Sequence, residues 1–329
     1  MKNKILVVGG AGYVGTVIIR ELLKKDLKVI CVDNLIYKNF NTLKYFKKNK
    51  NFKFFKLSAD NIGIKKIIRE VDFIIYLAGL VGDPITKKYP IDSQINNEVV
   101  IKKFVNFCLK QNKKQNFIFV STCSNYGLRK KSEKAKENSR LNPLSLYAKS
   151  KVKIEKHLLN IKNKNFNCII LRFSTAFGLS SRMRFDLTVN EFVKDLYLYN
   201  EVKVYDENTW RPYCHVKDFA RLMLFLINKS KFLPRNEIFN VGNDKNNFTK
   251  KNIAEAVLKK VKKGQIVYVK GGSDPRNYKV NFSKIEKKLG FKVKYSINYG
   301  INEILNYLKS KKITRKNFNL KNFGNFKLN

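Results

Sequence analysis

The start of this chain constrains its fold more than any other stretch. Residues 4–15 read KILVVGGAGYVG, a short continuous apolar run that ends in glycines and leads into a helical pattern from about Gly12 to Lys24. An apolar run without polar alternation suits a strand buried on both faces, as in a parallel sheet with helices on either side. Gly9, Gly10, Gly12 and Gly15 fit both the GxxGxxG and the GxGxxG spacing. Glycine permits a tight turn and lets the backbone approach a pyrophosphate. The helix start that follows offers unpaired amide N–H groups and the positive end of its dipole.

The rhythm repeats. Apolar runs at 28–32, 52–56, 73–76, 117–120 and 167–171 alternate with helical stretches. Right-handed crossovers between parallel strands then predict an α/β fold, a doubly wound parallel Rossmann sheet. After about Thr175 the pattern breaks: arginines and aromatics thicken in loops, and helices are predicted at 186–198, 216–228, 250–261 and 297–309. The expected organisation is a sheet domain over 1–175 with a return segment at about 210–242. A smaller, interleaved C-terminal substrate domain covers 176–209 and 243–310, and 311–329 form a tail. The tail, rich in Lys, Asn and Phe, reads as a frayed terminus, with packing of Phe318, Phe323 and Phe326 back onto the protein or a partner subunit as the alternative.

Composition removes other classes. At 329 residues and 44% hydrophobic the chain can bury a large core, and no apolar stretch approaches the roughly 20 residues of a membrane span. The N-terminus lacks a signal-peptide h-region. Five scattered cysteines without a CxxC argue against a disulfide framework or structural zinc, and point to a reducing cytoplasm. The net charge of +43 would by itself suggest nucleic acid. Only 12 of the 68 basic residues are Arg, however, and the lysines are spread over the whole chain. The expectation is a solvated basic surface with no specific nucleic-acid partner, one that attracts anions such as a diphosphate.

Asp33 ends the second run, 18 residues after Gly15. A carboxylate there accepts from both adenosine ribose hydroxyls and repels a 2′-phosphate, so NAD is the expected cofactor rather than NADP. Asp60, after the third run, is expected near the adenine. Tyr147 and Lys151, in YAKSK, lie four apart on a predicted helix and so share a face. A phenol titrates near 10; a neighbouring ammonium is expected to lower that value. The pair could then take a proton from a sugar hydroxyl as hydride leaves the same carbon. Thr122, at a strand end, could hydrogen-bond the same oxygen.

These residues carry a resemblance. GGAGYVG, VDNL, LAGLVGDP, STCSNYG, YAKSK, LRFSTAFG and WRPYCHVKD, in that order over about 1–220, resemble the extended short-chain dehydrogenase/reductases of the nucleotide-sugar epimerase and dehydratase group. SSRMRFDLTVNEF and the tail most resemble a bacterial branch acting on GDP-heptose-type sugars. The resemblance implies an NAD site of Gly9, Gly12, Tyr13, Val14, Gly15, Asp33, Asn34, Asp60, Asn61, Leu77, Ala78, Gly79 and Ser121, braced by Asn96. It implies a catalytic triad of Thr122, Tyr147 and Lys151, with Lys151 also holding the nicotinamide ribose. Val81, Thr122, Ser124, Arg182, Arg184, Asn190, Arg211 and Arg276 would hold the substrate, a nucleoside-diphosphate sugar. Guanidinium forks suit phosphate oxygens.

Departures from the family pattern narrow the chemistry. Cys123 and Ser124 stand where 4,6-dehydratases carry Asp and Glu, which disfavours elimination. Ser174 stands where many 4-epimerases have Asn. Cys123 as an acid is a minor alternative to a small buried residue, and His157 and His215 read as structural. The expected activity is oxidation at C4 of the sugar, as a 4-epimerase. A 4-dehydrogenase releasing the 4-keto product, a ketosugar reductase and a non-enzymatic RNA- or NAD-binding protein are the alternatives. A homodimer through helices at 96–111 and 145–160 is implied by the resemblance.

Overall fold

The computed structural model describes residues 4–130, 132–272, 274–320 and 323–328. Seven strands form the central sheet: β1 (Lys4–Val8), β2 (Lys28–Asp33), β3 (Phe52–Lys56), β4 (Phe73–Tyr76), β5 (Gln115–Thr122), β7 (Phe166–Phe173) and β11 (Glu237–Val241). Between β5 and β11 in the chain come β6 (Lys134–Ala135), β8 (Thr175–Phe177), β9 (Glu201–Tyr205) and β10 (Trp210–His215); β12 (Asn247–Thr249), β13 (Gln265–Val269) and β14 (Lys279–Val280) follow. The order across the sheet is β11-β7-β5-β4-β1-β2-β3, with every neighbouring pair parallel.

The expected doubly wound α/β sheet is therefore present, and side-chain alternation along a single strand shows why. In β1, Ile5 and Val7 join the core under helices Tyr13–Leu23 and Val216–Asn228. Leu6 and Val8 join the opposite core, under helices Ile64–Glu70, Val100–Leu109 and Leu146–Leu159. A strand such as β1 that feeds two cores must be apolar throughout, whereas the edge strand β3, FKFFK, feeds only one and carries exposed lysines. At that density, a change such as Leu6→Ala removes about 2–5 kcal/mol.

β11 lies within the return segment expected at about 210–242 and joins the β7 edge after a long excursion. β10, which opens the expected return segment, pairs instead with β8 and β12 in a three-stranded sheet. Two further pairs, β13-β9 and β14-β6, complete the later half. Among the described residues no helix is long and apolar enough to cross a membrane, and all five cysteines are buried free thiols.

The strand order reverses direction between β1 and β4, because β1 leads outward to β2 while β4 leads outward to β5. Helices on opposite faces part there and leave a crevice beyond the C-terminal strand ends. A cleft of about 770 Å³ occupies that place, lined from the ends of β1, β2, β4, β5 and β7 and roofed by residues of the later half.

Candidate active site

The glycine turn forms one bank of the cleft. Gly9 has φ +81°, and a Cβ there would lie 2.6 Å from the Ala78 amide nitrogen. A Cβ on Gly15 would lie 2.7 Å from the Gly9 and Gly10 carbonyl oxygens, so only glycine lets helix Tyr13–Leu23 start this close to the turn. Asp33 caps the arrangement: one carboxylate oxygen accepts from the Ala11 amide at 3.0 Å and the other from Leu35 at 2.8 Å. Burial raises its pKa, and these two amides oppose the rise. Gly9, Gly12, Tyr13, Val14, Gly15, Asp33, Asn34, Leu77, Ala78, Gly79 and Ser121 all line the cleft. A bare backbone cradle ending at a carboxylate fits a dinucleotide.

Several expected residues sit elsewhere. Asp60 and Asn61 are not part of the lining; Leu57, Ser58 and Ala59 are. Local turn bonds divert both, since Asp60 accepts from Ser58 Oγ at 2.6 Å and Asn61 accepts from the Gly63 amide at 2.8 Å. Asn96 lines the cleft but donates to the Asp92 carbonyl. The brace is its neighbour Asn97: residues Ile95–Val99 make a π-helical turn in which Asn97 faces inward, accepting from Leu80 N at 2.8 Å and donating to Leu80 O at 3.0 Å. Asn190 is fully buried behind the lining. It accepts from the Gly178 amide and donates to Tyr13 Oη and the Arg184 carbonyl, so it supports the wall without facing the cleft.

Tyr147 and Lys151 lie on helix Leu146–Leu159, which the Ser145 hydroxyl caps by accepting from the Ala148 amide. Both are nearly buried and both line the cleft, with Lys151 Nζ 5.8 Å from the Tyr147 ring centre. Lys151 Nζ donates to the Val120 carbonyl at 2.9 Å. Thr122 ends β5 beside them, its Oγ1 accepting from the Ser124 amide.

The electrostatics differ from the expectation of a phenol lowered by its lysine. Burial pushes the Tyr147 hydroxyl up, and Asp83 adds to the rise; Arg184 and Arg276 pull against it. Burial also lowers the Lys151 ammonium to about 8, with Glu155 opposing. Desolvation of both groups outweighs their mutual effect, so a phenolate here needs further positive charge nearby.

Behind β5, Arg172 on β7 pairs with Glu155 through its Nη2 at 2.6 Å, both side chains being almost fully buried. Ser121 and Asn125 donate to the same Glu155 carboxylate. This network ties the β5 end to the helix of Tyr147 and Lys151. Cys123 packs there too, its thiol on the Arg172 carbonyl, outside the cleft lining and pushed up by burial; that is the environment of a small apolar residue and not of an acid. His215 is likewise structural: fully buried, it caps helix Val216–Asn228 through the Lys217 amide and contacts Glu303 at 3.1 Å.

The opposite bank is cationic. Val81 lines the cleft on the glycine-turn side, after β4, while Ser124, Arg182, Arg184, Arg211 and Arg276 line this bank. Their acidic companions had no signal in the sequence reading. Arg184 Nε donates to Asp186 at 3.0 Å, Arg211 Nη2 lies 2.8 Å from Asp274, and Arg276 reaches Asp274, Asp83 and the Ser124 hydroxyl. Arg182 lies over the Tyr37 ring at 4.8 Å, and burial, with Arg184 beside it, lowers it to about 10. The expected frayed terminus is not what the described tail residues show. Phe318 and Phe323 stack on each other and pack edge-on against Phe185, while Asn325 and Phe326 reach the cleft. Phe185 supplied the apolar anchor that the Lys- and Asn-rich composition hid.

Residues 5–242 match the model of the NAD dependent epimerase/dehydratase family. An uncharacterised protein of Methanocaldococcus jannaschii is 29% identical over 93% of this chain and 97% of its own length. A UDP-glucuronate 4-epimerase of Thermodesulfobacterium geofontis is 27% identical over 92% of this chain and 95% of its own length. Among solved structures, UDP-glucuronic acid 4-epimerase from Bacillus cereus, in complex with UDP-glucuronic acid and NAD, superposes with a TM-score of 0.81. It covers 94% of this chain and 99% of that one at 23% identity.

Proposed function

The chain belongs to the NAD-dependent epimerase/dehydratase family, and from that premise we propose that it oxidises C4 of a nucleoside-diphosphate sugar and acts as a 4-epimerase. The observation that carries this reading is the meeting of Thr122, Tyr147 and Lys151 in one cleft, between the glycine turn and the arginine bank. NAD, when bound, supplies the oxidised nicotinamide that accepts hydride and adds positive charge beside the phenol.

The protein's own residues do the rest. Gly9, Gly12 and Gly15 admit the pyrophosphate, and Asp33 takes the adenosine ribose. Thr122 orients the C4 hydroxyl toward Tyr147. Tyr147 Oη takes the hydroxyl proton as the C4 hydride departs, and returns it when hydride comes back to the other face of the ketone. Lys151, anchored on the Val120 carbonyl, holds the nicotinamide ribose and keeps an ammonium next to the phenol. Arg184, Arg211 and Arg276 orient the diphosphate, so that the sugar alone turns over between the two hydride steps. Elimination is disfavoured because Cys123 is sequestered and Ser124 is neutral, which leaves no carboxylate next to Thr122 in the chain to remove a C5 proton.

A homodimer is part of the proposal. Ile91, Ile95 and Val99, spaced four apart, and Leu146 on the neighbouring helix are all exposed. Ser150 and Lys153 of that helix bind Glu98 and hold the two helices together as one apolar face for a second copy.

The test is to incubate the purified protein and NAD with UDP-, GDP-, CDP- and dTDP-sugars, following reduced cofactor by absorbance and products by NMR. The expected result is one sugar class converted to its C4 epimer with NAD regenerated. Stoichiometric NADH with a 4-keto product, a 4-keto-6-deoxy product, or no turnover would each overturn the epimerase reading.

A further inference from the structure

We infer that the C-terminal segment 323–326 clasps bound NAD, and that Asn325 is the positioning residue of the clasp. The inference rests on the reading that NAD occupies the cleft.

The segment is anchored outside the cleft and reaches into it. The Phe323 carbonyl accepts from the Phe185 amide at 2.7 Å, and its ring is held by Phe185 and Phe318. Two residues on, Asn325 is only 6% exposed. Its Oδ1 accepts from Arg182 Nη2 at 2.8 Å, and its Nδ2 donates to the Val81 carbonyl at 2.9 Å. Val81 follows β4 on the dinucleotide bank, while Arg182 belongs to the opposite bank. One neutral amide thus joins the two banks across 244 residues of sequence. Both Asn325 and Phe326 line the cleft.

The place of this bridge decides what it can do. Arg182 rests on Tyr37 and feels the charge of Asp33, and Asp33 with the glycine turn marks the adenosine end of the cleft. A dinucleotide spanning Asp33 and Tyr147 would share the cleft that Asn325 and Phe326 line. Its release would then be opposed by the Asn325 bonds to Arg182 and Val81. The clasp keeps the same NAD molecule in place between the two hydride steps and fixes the direction of the Arg182 fork. An amide suits this role because it donates to one bank and accepts from the other, which neither Asp nor Ala can do.

The test compares the wild-type protein with Asn325→Ala and Asn325→Asp, using NAD as the probe. Calorimetry gives affinity, gel filtration gives retention, and trypsin reports the tail through cleavage after Arg315 and Lys316. In Asn325→Ala, loss of a charge-assisted and a neutral hydrogen bond is expected to raise the NAD Kd about tenfold. The KM for NAD should rise in step. Asn325→Asp, which keeps an acceptor for Arg182, should fall between. NAD should slow tryptic cleavage in the wild type and not in Asn325→Ala. A variant that binds and retains NAD like the wild type, or a tail that NAD does not protect, overturns the clasp. A wild-type protein that binds no NAD instead overturns the cofactor reading on which the clasp depends.

Discussion

The two banks of the cleft are built on opposite plans. The dinucleotide bank is mostly backbone: a glycine turn at the end of β1, the Leu77–Val81 stretch after β4, and one carboxylate, Asp33, whose oxygens are already tied to amides. The substrate bank is mostly side-chain charge, and that charge comes in pairs: Arg184 with Asp186, Arg211 with Asp274, Arg276 with Asp83 and Asp274. Arg182 is the exception, held by an uncharged amide. The difference teaches that the arginines of the cleft are set by pairing. The chain's lysines are spread along its whole length, while within the cleft the arginines are largely neutralised by their partners. Paired guanidinium groups recognise by direction more than by attraction.

Tyr147 stands between the banks, so its removal should have the largest effect while leaving both banks intact. Tyr147→Phe is expected to cut turnover by about 10²–10⁴-fold, with NAD affinity by calorimetry unchanged. Near-normal turnover would mean that another group takes the proton. A change on the substrate bank should be smaller and confined to the sugar nucleotide. Arg276→Lys keeps the charge but loses the fork that reaches Asp83, Asp274 and Ser124 together. The substrate KM should rise about 10–100-fold, and NAD binding should stay as it was. A matching loss of NAD affinity would break the distinction between the banks.

A change on the dinucleotide bank should do the reverse. Gly9→Ala puts a Cβ 2.6 Å from the Ala78 nitrogen at φ +81°. Strain of about 1–3 kcal/mol is expected, read as a lower melting temperature and weaker NAD binding, with sugar-nucleotide affinity measured separately and preserved.

Lys151 supplies the smallest and most diagnostic effect. Its ammonium, lowered by burial to about 8 against 10.5 for the ordinary group, is complete below pH 8 and lost above it. The kcat/KM should therefore fall as pH rises past 8, by no more than about tenfold per unit. Stability should move the opposite way. A lysine whose folded value is depressed penalises the folded state below pH 8, and the penalty fades between pH 8 and 10.5 as the unfolded chain binds the extra proton. Lys151→Met should flatten both profiles; an unchanged alkaline limb would assign it to a different group.

How much of this was legible follows from where each signal is stored. β1, the glycine turn and Asp33 are local in sequence, and a strand that feeds two cores must be continuously apolar, so the first half could be read directly. Tyr147 and Lys151 needed helical spacing together with their order in the chain after the glycine turn, Asp33 and Thr122. Asn96 lines the cleft, while the bonds of its neighbour Asn97 to Leu80 were not foreseen, because a π-helical turn shifts which side chain faces inward and no composition signal marks such a turn. Asp60 lies next to the lining residues Ser58 and Ala59, and the Ser58 hydroxyl that bonds its carboxylate had no signal in its strand-end position. Asn325 was invisible for a different reason: its partners are Val81 and Arg182, far away in the chain, and no period connects them. The arginines were marked by the family resemblance, with their rarity among the basic residues in support. Their carboxylate partners were not, because pairing is a property of the folded bank.

The most direct test of the central claim uses a turned-over nucleotide sugar carrying deuterium at C4. The account predicts a primary isotope effect, deuterium on the nicotinamide during turnover, and deuterium retained at the inverted C4 of the product, all abolished by Tyr147→Phe. Deuterium lost to water, or a product formed without the label ever reaching the nicotinamide, would contradict it.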